Sequence, residues 1–139
     1  MVKFWRLPEV LIITLKRFEV REGGAALRGI RPIGTGGTAM NVKIEAPVEF
    51  PINGLDMRPF CHENADQEES LYDLFALCNH YGRMRFGHYT AFCRDWRGTG
   101  LSDQWHCFDD HAVLPASEDE VRAATQSSYI LFYRRRPSK

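Results

Sequence analysis

The sequence has 139 residues and balanced charge, with 18 Lys plus Arg against 18 Asp plus Glu, so its formal net charge is zero. Apolar residues make up 44% of the chain, which is enough for one domain with a hydrophobic core. The charge balance argues against binding to nucleic acid or to a membrane surface, and no apolar run reaches the roughly 20 residues of a membrane-spanning helix.

The first half of the chain predicts strands separated by a long loop. Residues 7–20 form an apolar run, and both of its faces are apolar from Val10 to Leu15, so we predict a central, covered strand. Residues 21–40 are rich in glycine and lack periodicity, which predicts a long flexible loop. Strand character resumes at residues 41–52, and the polar stretch 61–70 predicts a surface segment.

The second half predicts an antiparallel meander that ends in a helix and a strand. Residues 70–80 alternate, which predicts Leu71 and Leu77 on one face of a strand and Tyr72 and Leu74 on the other. Short glycine-containing turns lead into strands at 88–95 and 105–110. We therefore predict an α+β fold with a mostly antiparallel sheet, built as a single domain over residues 1–139.

One short helix is predicted near the C-terminus, at residues 117–126. Ser117 is placed as its N-cap, and Glu120 stands where a capping box requires an acid. A final strand from residue 128 precedes the basic end YRRRPSK, whose arginines are expected to be solvated.

The four cysteines show no Cys-x-x-Cys spacing, so we expect no zinc site and no cofactor in this segment. Three of them lie in apolar, strand-like runs, where a free cysteine acts as a small buried hydrophobe. No signal peptide follows Met1, which predicts an intracellular protein of the cytoplasm or nucleus with reduced thiols. The cysteines are Cys61, Cys78, Cys93 and Cys107.

A histidine and two aspartates are expected to meet at one end of a hairpin. His88 begins one predicted strand, and Asp109 and Asp110 end the next, so antiparallel pairing brings them together. A carboxylate beside an imidazole fixes the ring tautomer and leaves the other nitrogen free to act as a base. Gly87 allows backbone or substrate to approach that histidine closely. The same pair can also be only a structural hydrogen bond.

The remaining histidines have simpler explanations. His62 lies in a polar loop and is expected to be solvated, whereas His106 is expected to be a half-buried packing residue. His80 ends its strand near the same turn as His88, and it either lines the site or satisfies turn backbone. A zinc site made of His80, His88 and a cysteine lacks metal-type spacing. No nucleophile is found, because no Gly-x-Ser-x-Gly motif occurs and no cysteine has the setting of an activated thiolate.

Five blocks of this sequence stand in the order found at the end of the catalytic domain of ubiquitin-specific proteases. Residues 7 to 135 resemble this family, and Gly-His-Tyr followed by Trp-x-x-Phe-Asp-Asp is a specific combination. The resemblance implies a papain-like cysteine protease fold, of which this chain is the palm half. The blocks are LPEVLIITLKRF, VEFPINGLDM, YDLFALCNHYGRMRFGHYTAF, WHCFDD and YILFYRR.

The resemblance also implies residue roles. His88 is the general base, Asp109 orients it, and Asp110 is a neighbouring acid that assists. The channel for the diglycine end of ubiquitin, and thus substrate binding, involves four further residues. The turn 81–86 and the stretch 21–40 match two mobile loops that overhang this channel. The four residues are Gly87, Tyr89, His80 and Tyr81.

Two family features are missing from this sequence. The Gly-x-Thr-Cys block with the nucleophilic cysteine and the zinc-binding Cys-x-x-Cys pairs of the fingers are both absent, and in the family both precede this region. We therefore expect the C-terminal half of a longer thiol-dependent deubiquitinase that acts on ubiquitin and ubiquitinated proteins together with its missing N-terminal half. The isolated chain is expected to be inactive. The alternative is a non-catalytic ubiquitin-binding or scaffold module.

Overall fold

The computed structural model describes residues 1–22, 39–65, 69–84, 86–97 and 100–137. Within these ranges the chain forms nine strands, one α-helix and one 3-10 helix at Arg58–Phe60. The elements are β1 (Val10–Thr14), β2 (Phe18–Glu22), β3 (Ala39–Lys43), β4 (Leu55–Asp56), β5 (Leu71–Arg83), β6 (Phe86–Arg97), β7 (Gly100–Asp109), β8 (Ala112–Ala116), α1 (Glu118–Ala123) and β9 (Ser128–Arg135).

A seven-stranded sheet organises this part of the chain. Its strand order is β1-β9-β5-β6-β7-β8, with β4 paired to β5, while β2 and β3 form a separate hairpin. All pairs between these strands are antiparallel. The prediction of a mostly antiparallel α+β fold with one short helix is confirmed.

The helix is stabilised by the predicted capping box. Ser117 Oγ accepts a hydrogen bond from the Glu120 backbone N–H, and the Glu120 carboxylate accepts one from the Ser117 backbone N–H. Two of the otherwise unpaired N–H groups at the helix start are thus satisfied. The helix ends at Ala123, three residues earlier than predicted, and it spans only six residues. No helix in the described ranges has the length and apolarity needed to cross a membrane.

Strand β1 lies at an edge of the sheet, so the prediction of a central, covered strand was wrong. It pairs with β9 alone among the described strands, and Ile12 is 57% exposed. The apolar run predicts a strand covered on both faces, but only Leu11 on it is buried. The apolar side chains of this strand are therefore partly exposed in this chain.

Strand β5 changes its buried face along its length, which corrects the predicted alternation. A register shift against β9 falls between Leu74 and Ala76. Before it Tyr72 and Leu74 are buried, and after it Leu77 joins them on the same side of the sheet, although the alternation placed Leu77 on the opposite face. The additional residue of such an irregularity re-aims every later side chain of the strand.

Further predictions need correction at segment boundaries. The glycine-rich stretch 21–40 begins and ends in the β2–β3 hairpin, and residues 23–38 lie outside the described residues. The polar segment 61–70 is anchored by buried residues at both ends, Cys61 and Ser70. Strand β8, at residues 112–116, was not predicted, and it contains Pro115. Its position on an edge strand explains why a residue without an N–H is tolerated.

The C-terminal arginines are paired rather than simply solvated. Arg135 lies 3.3 Å from a carboxylate oxygen of Glu69, and Arg136 lies 2.7 Å from Asp73. Strand β9 therefore remains tied to β5 and the segment before it up to the end of the described chain. The core is built from residues of the sheet, of α1 and of the segment 50–61. Its fully buried large side chains are Trp105, Tyr72, Tyr133, Ile52, Leu74, Leu77 and Val121.

Candidate active site

Two hairpins place His88 and Asp109 at the same end of the sheet. Tyr81 of β5 pairs with His88 near the start of β6, and Ala91 pairs with Phe108 just before the end of β7. Because β6 and β7 are antiparallel, the start of β6 lies beside the end of β7. The β5–β6 turn is tighter than predicted, since β5 continues to residue 83 and β6 begins at residue 86.

The imidazole of His88 contacts the carboxylate of Asp109. His88 Nε2 lies 2.6 Å from Asp109 Oδ1, and the two side chains are 48% and 52% exposed. An ionised carboxylate can only accept a hydrogen bond, so Nε2 is the nitrogen that carries the proton. The other nitrogen, Nδ1, then holds a free lone pair. The structure thus brings His88 and Asp109 into contact at one end of the sheet, as their positions on two successive strands predicted.

Asp110 lies beside this pair and adopts an unusual backbone conformation. It begins the two-residue turn between β7 and β8, and its φ of 48° falls in the left-handed region, which aspartate tolerates better than most residues. One ligand atom each from His88, Asp109 and Asp110 lie within 4.8 Å of one another. Asp110 therefore adds negative potential next to the imidazole.

Among the described residues, these same three side chains form a group that could hold a metal ion. The group differs from the sequence alternative, which combined His80 and His88 with a cysteine. All three side chains are exposed, and the Asp109 carboxylate already accepts the hydrogen bond from His88.

His80 is buried and does not line the surface. It is 1% exposed, and neither of its ring nitrogens has a hydrogen-bond partner among the described residues. Its side chain therefore neither reaches a substrate at the surface nor satisfies turn backbone, which were the two expected alternatives. Burial first, and the nearby Lys43 ammonium second, lower the pKa of His80 below the ordinary 6.5, so the ring is neutral.

The His80 ring explains why residue 87 is glycine. A Cβ built on Gly87 would lie 2.0 Å from His80 Nε2 and 2.9 Å from the carbonyl oxygen of Arg83. Any side chain at this position would displace the ring or the turn. Gly87 was predicted to allow a close approach to His88, and the group that approaches it here is His80. Tyr81 and Tyr89, by contrast, are 44% and 52% exposed at the same edge.

Sequence reasoning missed three residues that surround His80. Phe18 and Tyr129 pack against its ring, with centroid distances of 5.1 and 6.1 Å, and Lys43 donates a hydrogen bond to its carbonyl oxygen. Lys43 and His80 also line a cavity of about 270 Å³ that reaches Tyr81 and Ser127. Phe18 and Tyr129 are distant from His80 in the sequence, and no local signal shows that these three side chains meet.

The cysteines of this chain are not activated. All four are free of disulfides. Burial raises the pKa of the Cys78, Cys93 and Cys107 thiols, which disfavours the thiolate. Cys61 is buried, and its Sγ donates to the Met57 carbonyl oxygen at 3.3 Å. The described site therefore pairs an imidazole with a carboxylate, and its cysteines show no sign of being nucleophiles.

Comparison with known proteins gives consistent similarities along the chain. The family model described as Ubiquitin carboxyl-terminal hydrolase matches residues 1–133. Human Ubiquitin carboxyl-terminal hydrolase 31 is 38% identical over 97% of this chain, and human Ubiquitin carboxyl-terminal hydrolase 19 is 41% identical over 96%. The chain spans only 10% and 9% of the length of these two relatives.

Solved structures agree with these relatives. The SAGA Ubp8/Sgf11/Sus1/Sgf73 DUB module contains a chain with a TM-score of 0.70 and 30% identity, over 99% of this chain and 26% of that one. The same module bound to ubiquitin aldehyde gives 0.68 and 31%, over 96% and 26%. The sheet thus has the papain-like architecture of these catalytic domains, and the chain belongs to the ubiquitin carboxyl-terminal hydrolase family, in its ubiquitin-specific protease branch.

Proposed function

We propose that this chain supplies the general base and its orienting acid to a thiol-dependent deubiquitinase. The observation that carries the proposal is the 2.6 Å contact between His88 Nε2 and Asp109 Oδ1, which leaves Nδ1 free. In this proposal His88 is the base, Asp109 fixes its tautomer, and Asp110 stabilises the imidazolium through its charge. The nucleophilic cysteine belongs to another part of the parent protein, because the four thiols here are buried or held protonated.

The chemistry follows from the free nitrogen. His88 Nδ1 takes the proton of the thiol, and the thiolate attacks the carbonyl carbon of the C-terminal glycine of ubiquitin. The imidazolium then protonates the departing lysine amine, and a thioester remains. His88 next takes a proton from water, and the hydroxide attacks the thioester carbonyl carbon, so that the C–S bond breaks and ubiquitin leaves with a free C-terminal carboxyl group. The imidazolium then returns its proton to the departing thiolate, which restores the thiol and neutral His88. No cofactor is required for these steps.

The proposed substrate is ubiquitin attached to other proteins. One of the similar solved structures, the SAGA DUB module, has ubiquitin aldehyde bound, which supports ubiquitin as the ligand of this chain. Gly87, Tyr81 and Tyr89 are exposed around His88 and are proposed to contact the C-terminal end of ubiquitin. His80 remains outside this contact set because it is buried. The four free thiols support action in a reducing compartment, the cytoplasm or nucleus.

A second candidate is a non-catalytic ubiquitin-binding module. It is favoured by the raised pKa values of three cysteine thiols, since the chain alone then has no group to attack a carbonyl. In this case His88 and Asp109 would form only a structural hydrogen bond.

Turnover of a fluorogenic ubiquitin C-terminal substrate separates the two candidates. We expect no turnover by the 139-residue chain and turnover by the complete catalytic domain. His88→Gln in that domain should lower kcat by about 10⁶-fold, and Asp109→Asn by about 10⁴-fold, because the first removes the base and the second its orientation. His106→Gln on β7 is the matched control and should retain activity.

Two results would contradict the proposed enzymatic function. A complete domain that carries its upstream cysteine, binds ubiquitin and does not hydrolyse the substrate would make this protein a binding module. Full activity of the His88→Gln domain would remove His88 from the mechanism.

A further inference from the structure

We propose that His80 is a positioning residue for His88, and that its buried ring acts as a wedge that fixes the backbone on both sides of His88. The inference rests on the proposed function, because it assigns the role of general base to His88. It concerns a residue that touches neither the reacting atoms nor the surface.

The first argument is the burial of His80 without hydrogen bonds. Its ring is 1% exposed, and both nitrogens lack partners among the described residues. Burying a polar group without a hydrogen bond is unfavourable, and such groups are rare in folded proteins. Packing alone would be served better by an apolar side chain of similar size. The position therefore requires a shape or contact that the imidazole provides.

The second argument is where the ring lies relative to His88. Its Nε2 occupies the space where a Cβ of Gly87 would stand, directly before His88 in the chain. Its centroid lies 4.8 Å from that of Tyr89, directly after His88. One flat side chain thus contacts the residues on both sides of the base, and it limits how the backbone of residue 88 can shift.

The third argument is that the ring is itself held in place from behind. Phe18 of β2 packs edge-on at 5.1 Å, and Tyr129 of β9 lies 6.1 Å away. The His80 backbone is fixed as well, because its N–H donates to the Ser127 carbonyl oxygen and its own carbonyl accepts from Lys43. Packing against β2 and β9 therefore restrains the His80 ring, and the ring in turn restrains the backbone at the start of β6.

The consequence concerns the geometry of the base. His88 itself is half exposed, and its side chain has one described hydrogen bond, to Asp109. If the backbone at residue 88 shifts, the imidazole loses the alignment that keeps its proton on Nε2. A misplacement of about 1 Å can cost about 100-fold in rate.

Side-chain NMR on the 139-residue chain tests this geometry without any need for activity. In mildly alkaline solution the nitrogen shifts of wild-type His88 should show the proton on Nε2. His80→Leu keeps an apolar group of similar volume but lacks the flat ring, so its His88 shifts should move towards a mixture of tautomers. His106→Leu is the matched control and should keep the wild-type tautomer. An unchanged His88 spectrum in folded His80→Leu would overturn the proposal.

A measurement on the wild-type chain covers the case in which that variant does not fold. Nuclear Overhauser contacts between the His80 ring protons and the Gly87 α-protons are expected, because the ring stands against that residue. Their absence in the folded wild type would equally overturn the proposal.

Kinetics in the complete catalytic domain separate positioning from substrate binding. For His80→Leu, we expect kcat to fall about tenfold while KM changes by less than about twofold. A change in KM alone would overturn the positioning role. A wild-type domain without turnover would contradict the proposed function instead, and the NMR result would still decide whether His80 fixes His88.

Discussion

The buried, neutral imidazole of His80 makes the stability of this chain depend on pH. Burial and the nearby Lys43 ammonium lower the pKa of His80 below 6.5 in the folded state. Below about pH 6.5, residue 80 therefore binds a proton more readily in the unfolded chain than in the folded chain. The stability contribution of neutral His80 is therefore complete above about pH 6.5 and is lost as the pH falls.

We expect His80→Leu to weaken this pH dependence, because leucine cannot bind a proton. The free energy of unfolding, measured with urea at pH 7.5 and 5.5, should fall more in the wild type than in the variant. Lys43→Met should reduce the fall by a smaller amount, since burial is the larger cause of the lowered pKa. Identical losses in the wild type and in His80→Leu would show that His80 is not the responsible group.

The sequence predicted the surroundings of His88 and missed those of His80. His88 and Asp109 were predictable because two strands of known order and a short turn determine which residues meet at one end. His80 was not, because strand alternation would bury only one of two neighbouring residues. Both Asn79 and His80 are buried because other segments cover both faces of β5 here: Phe18 and Tyr129 pack against the His80 ring, and Ser127 donates a hydrogen bond to the Asn79 side chain. The covering of a second face by distant segments has no local sequence signature.

At the scale of elements, one arginine joins segments that are distant in sequence. Arg17 lies between β1 and β2 and is 2% exposed. Its guanidinium donates only to oxygens of other segments, without a described carboxylate partner. Burial lowers its pKa, and the more distant Glu45 opposes that shift. The acceptors are the carbonyl oxygens of Ile44, Ala46, Thr125 and Ser128 and the Ser128 hydroxyl.

We expect Arg17→Met to destabilise the fold by more than about 3 kcal/mol, because several buried carbonyl groups would lose their charged donor. Urea unfolding at neutral pH measures this loss. Lys16→Met, next to it and exposed, is the matched control and should change stability by less than about 0.5 kcal/mol. Similar effects of the two substitutions would contradict a linking role for Arg17.

The sequence predicted the start of α1 but not the position of β1 in the sheet. The capping box of α1 was predicted because its two residues are three positions apart and act locally. The edge position of β1 was not predicted, since it depends on β9, which lies more than 100 residues later in the chain. Hydrophobic pattern shows that a strand has two apolar faces, but it does not show what covers them.

At the scale of the whole molecule, the last strand of the chain completes the sheet. β9 lies between β1 and β5, so among the described strands the first joins the sheet only through the last. Long-range pairing of this kind carries a large loop-closure entropy and slows folding. The contacts that hold the end of β9 should therefore matter for the stability of the entire sheet.

The pair of Arg136 and Asp73 is the clearest of these contacts. Arg136 Nε and Nη2 donate to the two carboxylate oxygens at 2.8 and 2.7 Å, and the Gly54 N–H donates to Oδ1 at 2.8 Å. Burial of Asp73 favours its neutral form, but the hydrogen bonds from Arg136 and Gly54 outweigh it and lower the pKa of Asp73 below 3.8. Its stabilising effect is present above that value and is lost as the pH falls through the folded-state pKa.

We expect Arg136→Ala to lower the free energy of unfolding by about 1 kcal/mol at pH 7, because a partly buried carboxylate loses a two-pronged charged partner. The difference from the wild type should shrink as the pH falls below 3.8, where Asp73 becomes protonated in the unfolded chain. Arg58→Ala is the matched control, since Arg58 forms a similar pair with Asp56 that is exposed and lies within one short segment. This control should change stability less than Arg136→Ala. Denaturant unfolding of the three proteins across this pH range decides the matter: a difference for Arg136→Ala that stays constant down to pH 2 would mean that β9 is held by its backbone pairing and not by this ion pair.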